Sequence, residues 1–96
     1  MSSEAPVPEG PTPDGKTFFR ARLDSEPSPE WMRAYRAGML GLLPEDREIV
    51  LRFEFQGDSV RFPAMDTEVN RIRKVLERRL DAVNSILSGG RGPAGA

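Results

Sequence analysis

The sequence contains no cysteine and no histidine among its 96 residues. Without cysteine the chain cannot form a disulfide, and without histidine a zinc site is not expected. Cysteine and histidine are also frequent nucleophiles and general bases, so catalysis would depend on carboxylates, lysines or the single tyrosine. No glycine-rich loop of the kind that cradles phosphates follows a predicted strand. The composition therefore argues against an enzyme, and no metal ion or cofactor is predicted.

Long apolar runs are also absent. No stretch approaches the ~20 apolar residues that a helix needs to cross a bilayer. The first residues do not show a basic region followed by an apolar run, so a secretory signal is not predicted. The net charge is only −1, which gives no strong field for nucleic acid or membrane. We therefore expect a cytoplasmic location and no membrane contact.

Both ends of the chain have few large apolar residues. Residues 1–15 contain four prolines, and Val7 is their one large aliphatic side chain. Residues 89–96 are rich in glycine, alanine and proline. Such segments cannot bury enough apolar surface to offset the entropy lost on ordering. The composition predicts two disordered tails around a single domain over residues 16–88.

A two-residue alternation marks the middle of this domain. In residues 49–56 the apolar side chains fall on odd positions and polar ones mostly on even positions, which predicts a strand with one buried face. Gly57-Asp58 suits a two-residue turn of type II′. Residues 59–62 resume the alternation, and Pro63 cannot donate to a ladder. The pattern predicts a β-hairpin.

The hairpin has one favoured register. With a two-residue turn, Phe55 lies opposite Val60 on the buried face, and Glu54 lies opposite Arg61 as an oppositely charged pair. A slip of one residue would bury the charges. The register is therefore well specified.

A long amphipathic helix follows the hairpin. Asp66 is a suitable N-cap, and the helix is predicted to extend to Ser88, before two glycines. Its apolar residues share an arc of roughly 80°, which predicts a core-facing stripe. Glu77 and Asp81 point away from this stripe, so we interpret them as part of a solvated charged face rather than as metal ligands. The stripe consists of Val69, Ile72, Leu76, Leu80, Val83 and Leu87.

The first half of the domain predicts one strand and one helix. Residues 17–23 resemble a strand, and Ser28-Pro29-Glu30 is a strong helix start, with Trp31 and Tyr35 at helical spacing. The predicted fold is α+β with the order β-α-β-β-α: a three-stranded sheet with two helices on one face. The first two strands would run parallel, with the third between or beside them.

The last helix predicts a site of self-association or protein binding. It would span about 33 Å, whereas strands of six to eight residues span roughly 20–26 Å. Its final turns must therefore be covered either by the first helix or by a second chain, as in a homodimer. The aromatic residues of the first helix are either core residues, which we favour, or interface anchors. The candidate interface residues are Trp31, Tyr35, Leu80, Val83, Ile86 and Leu87.

The sheet face opposite the helices suggests a second function, weak binding of nucleic acid. Arginines interleaved with an aromatic residue on an open sheet suit stacking and backbone contact. Glu48 and Glu54 share the predicted face, however, so a solvated face of mixed charge is the favoured interpretation. The candidate residues are Phe18, Arg20, Arg22, Arg52 and Arg61.

Overall fold

The structure, a computed structural model, describes residues 2–89. It is α+β, as predicted, with a four-stranded antiparallel sheet and three α-helices. The strands lie in the order β1-β2-β4-β3. The elements are β1 (Val7–Pro11), β2 (Thr17–Arg22), α1 (Pro29–Gly38), α2 (Pro44–Val50), β3 (Glu54–Gln56), β4 (Ser59–Ala64) and α3 (Val69–Gly89), with 3₁₀ turns at Met39–Gly41 and Asp66–Glu68.

The predicted hairpin and its register are confirmed. β3 and β4 pair with Phe55 opposite Val60 and Glu54 opposite Arg61. Gly57 has φ of +60°, and within residues 2–89 no residue other than glycine has positive φ. A positive φ at the first central position, without one at the second, is the pattern of a type II′ turn.

The strand predicted over residues 49–56 is wrong in its first half. Residues 44–50 form α2, and only Glu54–Gln56 lies in the sheet. Pro44 at the start of this helix has a preset φ, and two acidic residues in the first turn favour the helix dipole. Ile49 and Val50 are nonetheless buried, 4% and 2% exposed. The burial of Ile49 was predicted, but the two-residue period placed Val50 on the open face of the sheet, which is wrong. Because residues 44–50 are helical, the fold has three helices rather than two.

The sheet has four strands, one more than the three that were predicted. Val7–Pro11 pairs antiparallel with β2, with an irregularity in register between Pro8 and Gly10. This strand lies within residues 1–15, whose composition predicted a tail. The composition argument considered only apolar burial, whereas β1 is held by backbone pairing to β2 and by ion pairs from Glu9. The predicted C-terminal tail, residues 89–96, lies outside the described residues apart from Gly89.

The direction of the strands agrees with the predicted arrangement. β2 and β3 are each antiparallel to β4, so they run parallel to each other with β4 between them. The loop-helix segment that joins them contains α1 and α2. The third predicted strand therefore lies between the first two.

The core lies between one face of the sheet and the three helices. Four residues of the predicted α3 stripe are at most 1% exposed: Ile72, Leu76, Leu80 and Val83. These four residues pack in one hydrophobic cluster with apolar residues of α1 and α2. The inner face of the sheet contributes Phe19, Ala21, Val60 and Phe62 to the same cluster. All three helices therefore cover one face, and the other face of the sheet carries mostly polar side chains together with Phe18.

Candidate protein-interaction site

Most of the predicted interface residues lie in the core. Trp31, Tyr35, Leu80 and Val83 are between 0% and 5% exposed. The ring centroids of Trp31 and Tyr35 are 5.6 Å apart, and Trp31 Nε1 donates a hydrogen bond to Asn84 Oδ1 of α3 at 3.2 Å. In the structure α1 covers these turns of α3, so Leu80 and Val83 do not require a second chain.

The end of α3 retains one exposed apolar side chain of the predicted set. Ile86 is 54% exposed. Leu87 is partly buried against the core. A single exposed aliphatic residue is ordinary on a protein surface, so this end of the helix offers little area for a partner.

The structure brings together four of the five residues predicted to bind nucleic acid. Phe18, Arg20 and Arg22 lie on β2, and Arg61 lies on the neighbouring β4. Arg52 is elsewhere. It follows α2, where its guanidinium lies 3.1 Å from Glu48 and 3.2 Å from Glu68.

Glu9 of β1 ties the arginines of the open sheet face together. Arg20 Nε donates to Glu9 Oε2 at 2.5 Å, and the other Arg20 nitrogens donate to Ser59 and Gln56 at 2.6 and 2.9 Å. Arg61 Nε lies 3.3 Å from Glu9 Oε1. The hydrogen bond from Arg20, followed by the charges of Arg20 and Arg61, lowers the pKa of Glu9 below 4.5. One carboxylate thus holds two arginines.

The remaining charges on this face are also paired. Arg22 lies 3.7 Å from Asp58, and Arg61 lies 4.0 Å from Glu54. The Arg61 guanidinium sits 3.8 Å above the ring centroid of Phe18, so the aromatic face is already occupied by a cation. Phosphate binding depends on cations that are not already neutralised. These contacts weaken the argument for nucleic acid.

Within residues 2–89 no group of three or more carboxylates lies close enough to hold a metal ion. The pKa values of Glu9, Asp14 and Glu68 are lowered, chiefly by hydrogen bonds, which is the opposite of what a general acid needs. Burial raises the pKa of Tyr35 to about 12, which keeps its phenol protonated. These groups are poorly suited to proton transfer at neutral pH.

A groove that the sequence did not predict lies between α1, the end of α2 and β3. Its volume is about 290 Å³. At one end of the groove Leu51 is 68% exposed. No sequence pattern pointed to the groove, because residues 49–56 were interpreted as one strand and α2 was not predicted. The lining residues are Met32, Tyr35, Arg36, Met39, Val50, Leu51, Phe53 and Phe55.

The groove runs along the free edge of the sheet. β3 is the last strand in the order, and no strand within residues 2–89 pairs with its outer side. The side chain of Phe55 packs on the helix side, with ring centroids 5.9 Å from Trp31 and 5.0 Å from Tyr35. An unpaired strand edge next to apolar side chains is a template for another chain.

Two further hollows adjoin the groove along α1. Both contain Glu26, Met32 and Arg36; one extends to Phe55 and the other to Arg33. Arg33 and Arg36 are exposed, and no carboxylate in the described part of the chain pairs with either. The apolar groove therefore has two cations at its margin.

The described helices do not include a membrane span: none within residues 2–89 is both long and apolar enough. No protein-family model, curated protein or solved structure matches this chain.

Proposed function

We propose that the chain is a non-enzymatic protein-interaction domain whose partner docks in the groove beside β3. The observation that supports this most strongly is the coincidence of an unpaired strand edge with an apolar groove. Main-chain hydrogen bonds along such an edge supply affinity, and side-chain pockets beside it supply specificity.

The proposal moves the predicted interface from the end of α3 to the opposite flank of α1. The end of α3 is covered by α1 up to Val83, and Ile86 stands alone as an exposed apolar residue. In the groove, by contrast, Leu51 and Phe55 adjoin Met32 and Met39. Methionine-rich apolar surfaces adapt well to peptide partners. The groove therefore offers several adjoining apolar side chains, whereas the end of α3 offers one.

Self-association is a special form of the same proposal. The expected homodimer rested on the uncovered turns of α3, and that premise does not apply to Leu80 and Val83, which α1 covers. A homodimer stays a prediction, to be tested by sedimentation over a range of protein concentrations. Nucleic-acid binding is not proposed, because the arginines of the open face are paired with carboxylates. A cytoplasmic location is part of the proposal and rests on the sequence alone.

The proposal is tested by selecting linear peptides from a random display library against the full chain. Selected peptides should lose about tenfold in affinity, or ~1.4 kcal/mol, when Leu51→Gln removes an apolar wall of the groove. Two matched controls replace other exposed aliphatic residues with the same neutral side chain: Ile86→Gln at the end of α3 and Val7→Gln on β1.

Both controls should leave binding unchanged. The proposal is wrong if no peptide is enriched over a blank selection. It is equally wrong if Ile86→Gln, rather than Leu51→Gln, weakens the selected peptides.

A further inference from the structure

We infer that the groove accepts an extended acidic segment of another protein, which adds to β3 as a fifth strand with its carboxylates at Arg33 and Arg36. The inference deepens the proposed function and rests on it. Three properties of the site determine the ligand: the direction of the free backbone groups, the side of the sheet on which the groove lies, and the unpaired charge.

The backbone of Phe55 points outward. In the two-residue hairpin, Gln56 and Ser59 flank the turn and form the first hydrogen-bonded pair. Pairs alternate along an antiparallel ladder, so the N–H and C=O of Phe55 are directed away from β4. Phe53 N–H already donates to Val50 O at 3.1 Å, which limits the ladder at that end. A partner strand would therefore centre its pairing on Phe55.

The groove selects the side chain that pairs with Phe55. Residues directly opposite each other on neighbouring strands project to the same face of the sheet. Phe55 projects toward the helices, where it contacts Trp31 and Tyr35. The partner residue opposite Phe55 therefore enters the apolar groove beside Met32 and Leu51. An aliphatic side chain suits this position.

In the added strand, the residue two positions from the one opposite Phe55 projects to the same face of the sheet, roughly 7 Å away. Arg33 and Arg36 lie in the hollows that adjoin the groove along α1, and Glu26 is the one carboxylate among the residues that line them. The local excess is positive, and the two guanidiniums have no partner among residues 2–89. An acidic residue two positions from the aliphatic one would supply that partner.

The same arginines disfavour a second copy of the chain. Two β3 strands paired about a two-fold axis would place both α1 helices on the same face of a continuous sheet. Arg36 of one copy would then approach Arg36 of the other, and juxtaposed like charges oppose association. The edge therefore suits an acidic partner better than itself.

The test uses the full chain and two synthetic eight-residue peptides. Both contain a central leucine with threonines around it; the acidic peptide has glutamate two positions to either side, and the neutral peptide has glutamine there. Binding is measured by fluorescence anisotropy of a labelled peptide. The acidic peptide should bind about tenfold more tightly than the neutral one, which corresponds to one charge-assisted contact or two partly screened ones.

Arg36→Gln should weaken binding of the acidic peptide about fivefold more than it weakens binding of the neutral peptide. The matched control is Arg71→Gln, an exposed arginine of α3 that has no ion pair with a described residue. Strand addition is read from amide exchange: at a peptide concentration ten times Kd, exchange of Phe55 N–H should slow about tenfold, since only the free protein exchanges.

Each contrary result has a distinct meaning. Equal binding of the two peptides, or no binding of the acidic peptide at about 1 mM, overturns the inference that the ligand is acidic. In that case, display-selected peptides whose binding is weakened by Leu51→Gln would still support the proposed function. Binding without protection of Phe55 N–H overturns strand addition. Protection that rises with protein concentration and without peptide identifies a second copy as the occupant and also overturns the inference.

Discussion

The two edges of the sheet differ in how they are closed. β1 contains Pro8 and Pro11, which lack an N–H donor, and its register shifts between Pro8 and Gly10. Glu9 also ties it to two arginines of the sheet. β3 contains no proline, keeps a regular register with β4 and lies beside an apolar groove. Its one charged residue, Glu54, lies 4.0 Å from Arg61.

Proline and irregular register are devices by which proteins prevent edge strands from pairing with other chains. Because they are present at β1 and absent at β3, β1 is the better protected of the two edges. β1 closes the sheet, whereas β3 is limited by its short length of three residues and by the hydrogen bond from Phe53 N–H to Val50 O. A partner at β3 must therefore gain much of its affinity from the groove, because so short a ladder supplies few hydrogen bonds.

The largest difference between the edges should appear on removing one apolar side chain from each. Phe55→Ala removes a ring that packs on Trp31 and Tyr35 and should lower the free energy of unfolding by about 2 kcal/mol, less than for a fully buried phenylalanine. Val7→Ala at β1 should change it by less than about 0.5 kcal/mol, because Val7 is 61% exposed. Urea denaturation measures both. Equal losses would show that the edges are anchored alike.

A smaller difference is expected for glycine. Gly57→Ala forces an alanine to φ of +60° in the β3–β4 turn and should cost about 1 kcal/mol. Gly10→Ala in β1 has open space around the added methyl group and no positive φ, so its effect should stay within about 0.5 kcal/mol. Thermal denaturation of both variants checks this. A larger loss of stability for Gly10→Ala than for Gly57→Ala would contradict the expectation that the backbone is more constrained in the β3–β4 turn than in β1.

The smallest effect concerns the charge that holds β1. The folded-state pKa of Glu9 is lowered below 4.5, so its contribution to stability is present above that value and is lost as the pH falls through the lowered pKa. The difference in stability between the wild type and Glu9→Gln should therefore be largest near neutral pH and shrink below pH 4.5.

Urea titrations at several pH values measure this difference, and about 1 M salt should reduce it by screening. A difference that does not depend on pH would mean that Glu9 does not bind the two arginines through its charge. The comparison with Glu9→Gln is needed because Asp14 and Glu68 also have lowered pKa values and contribute to acid sensitivity.

The sequence predicted the elements that have strong local signals. The hairpin register follows from a two-residue period around Gly57, and α3 follows from its apolar stripe. The start of α1 was also predicted: Ser28 Oγ accepts a hydrogen bond from the N–H of Trp31 at 3.1 Å. In these segments local propensity and tertiary packing favour the same structure.

The sequence did not predict the two elements that lack such signals. The N-cap of α2 is Leu43, which makes no capping hydrogen bond, and the helix is only seven residues long. β1 is bonded to a strand that comes after it in the chain and has little apolar content of its own. Because α2 forms one wall of the groove, missing it hid the groove. Because β1 supplies Glu9, missing β1 hid the carboxylate that pairs with Arg20 and Arg61.

The central claim, that the outer edge of β3 is open, is tested most directly by amide exchange of the free protein at low concentration. Phe55 N–H should exchange nearly as fast as an unstructured amide. Gln56 N–H, in contrast to Phe55 N–H, is directed toward β4 and should be protected. Protection of Phe55 N–H equal to that of Gln56 N–H in dilute protein would contradict the account, because the edge would then already be occupied.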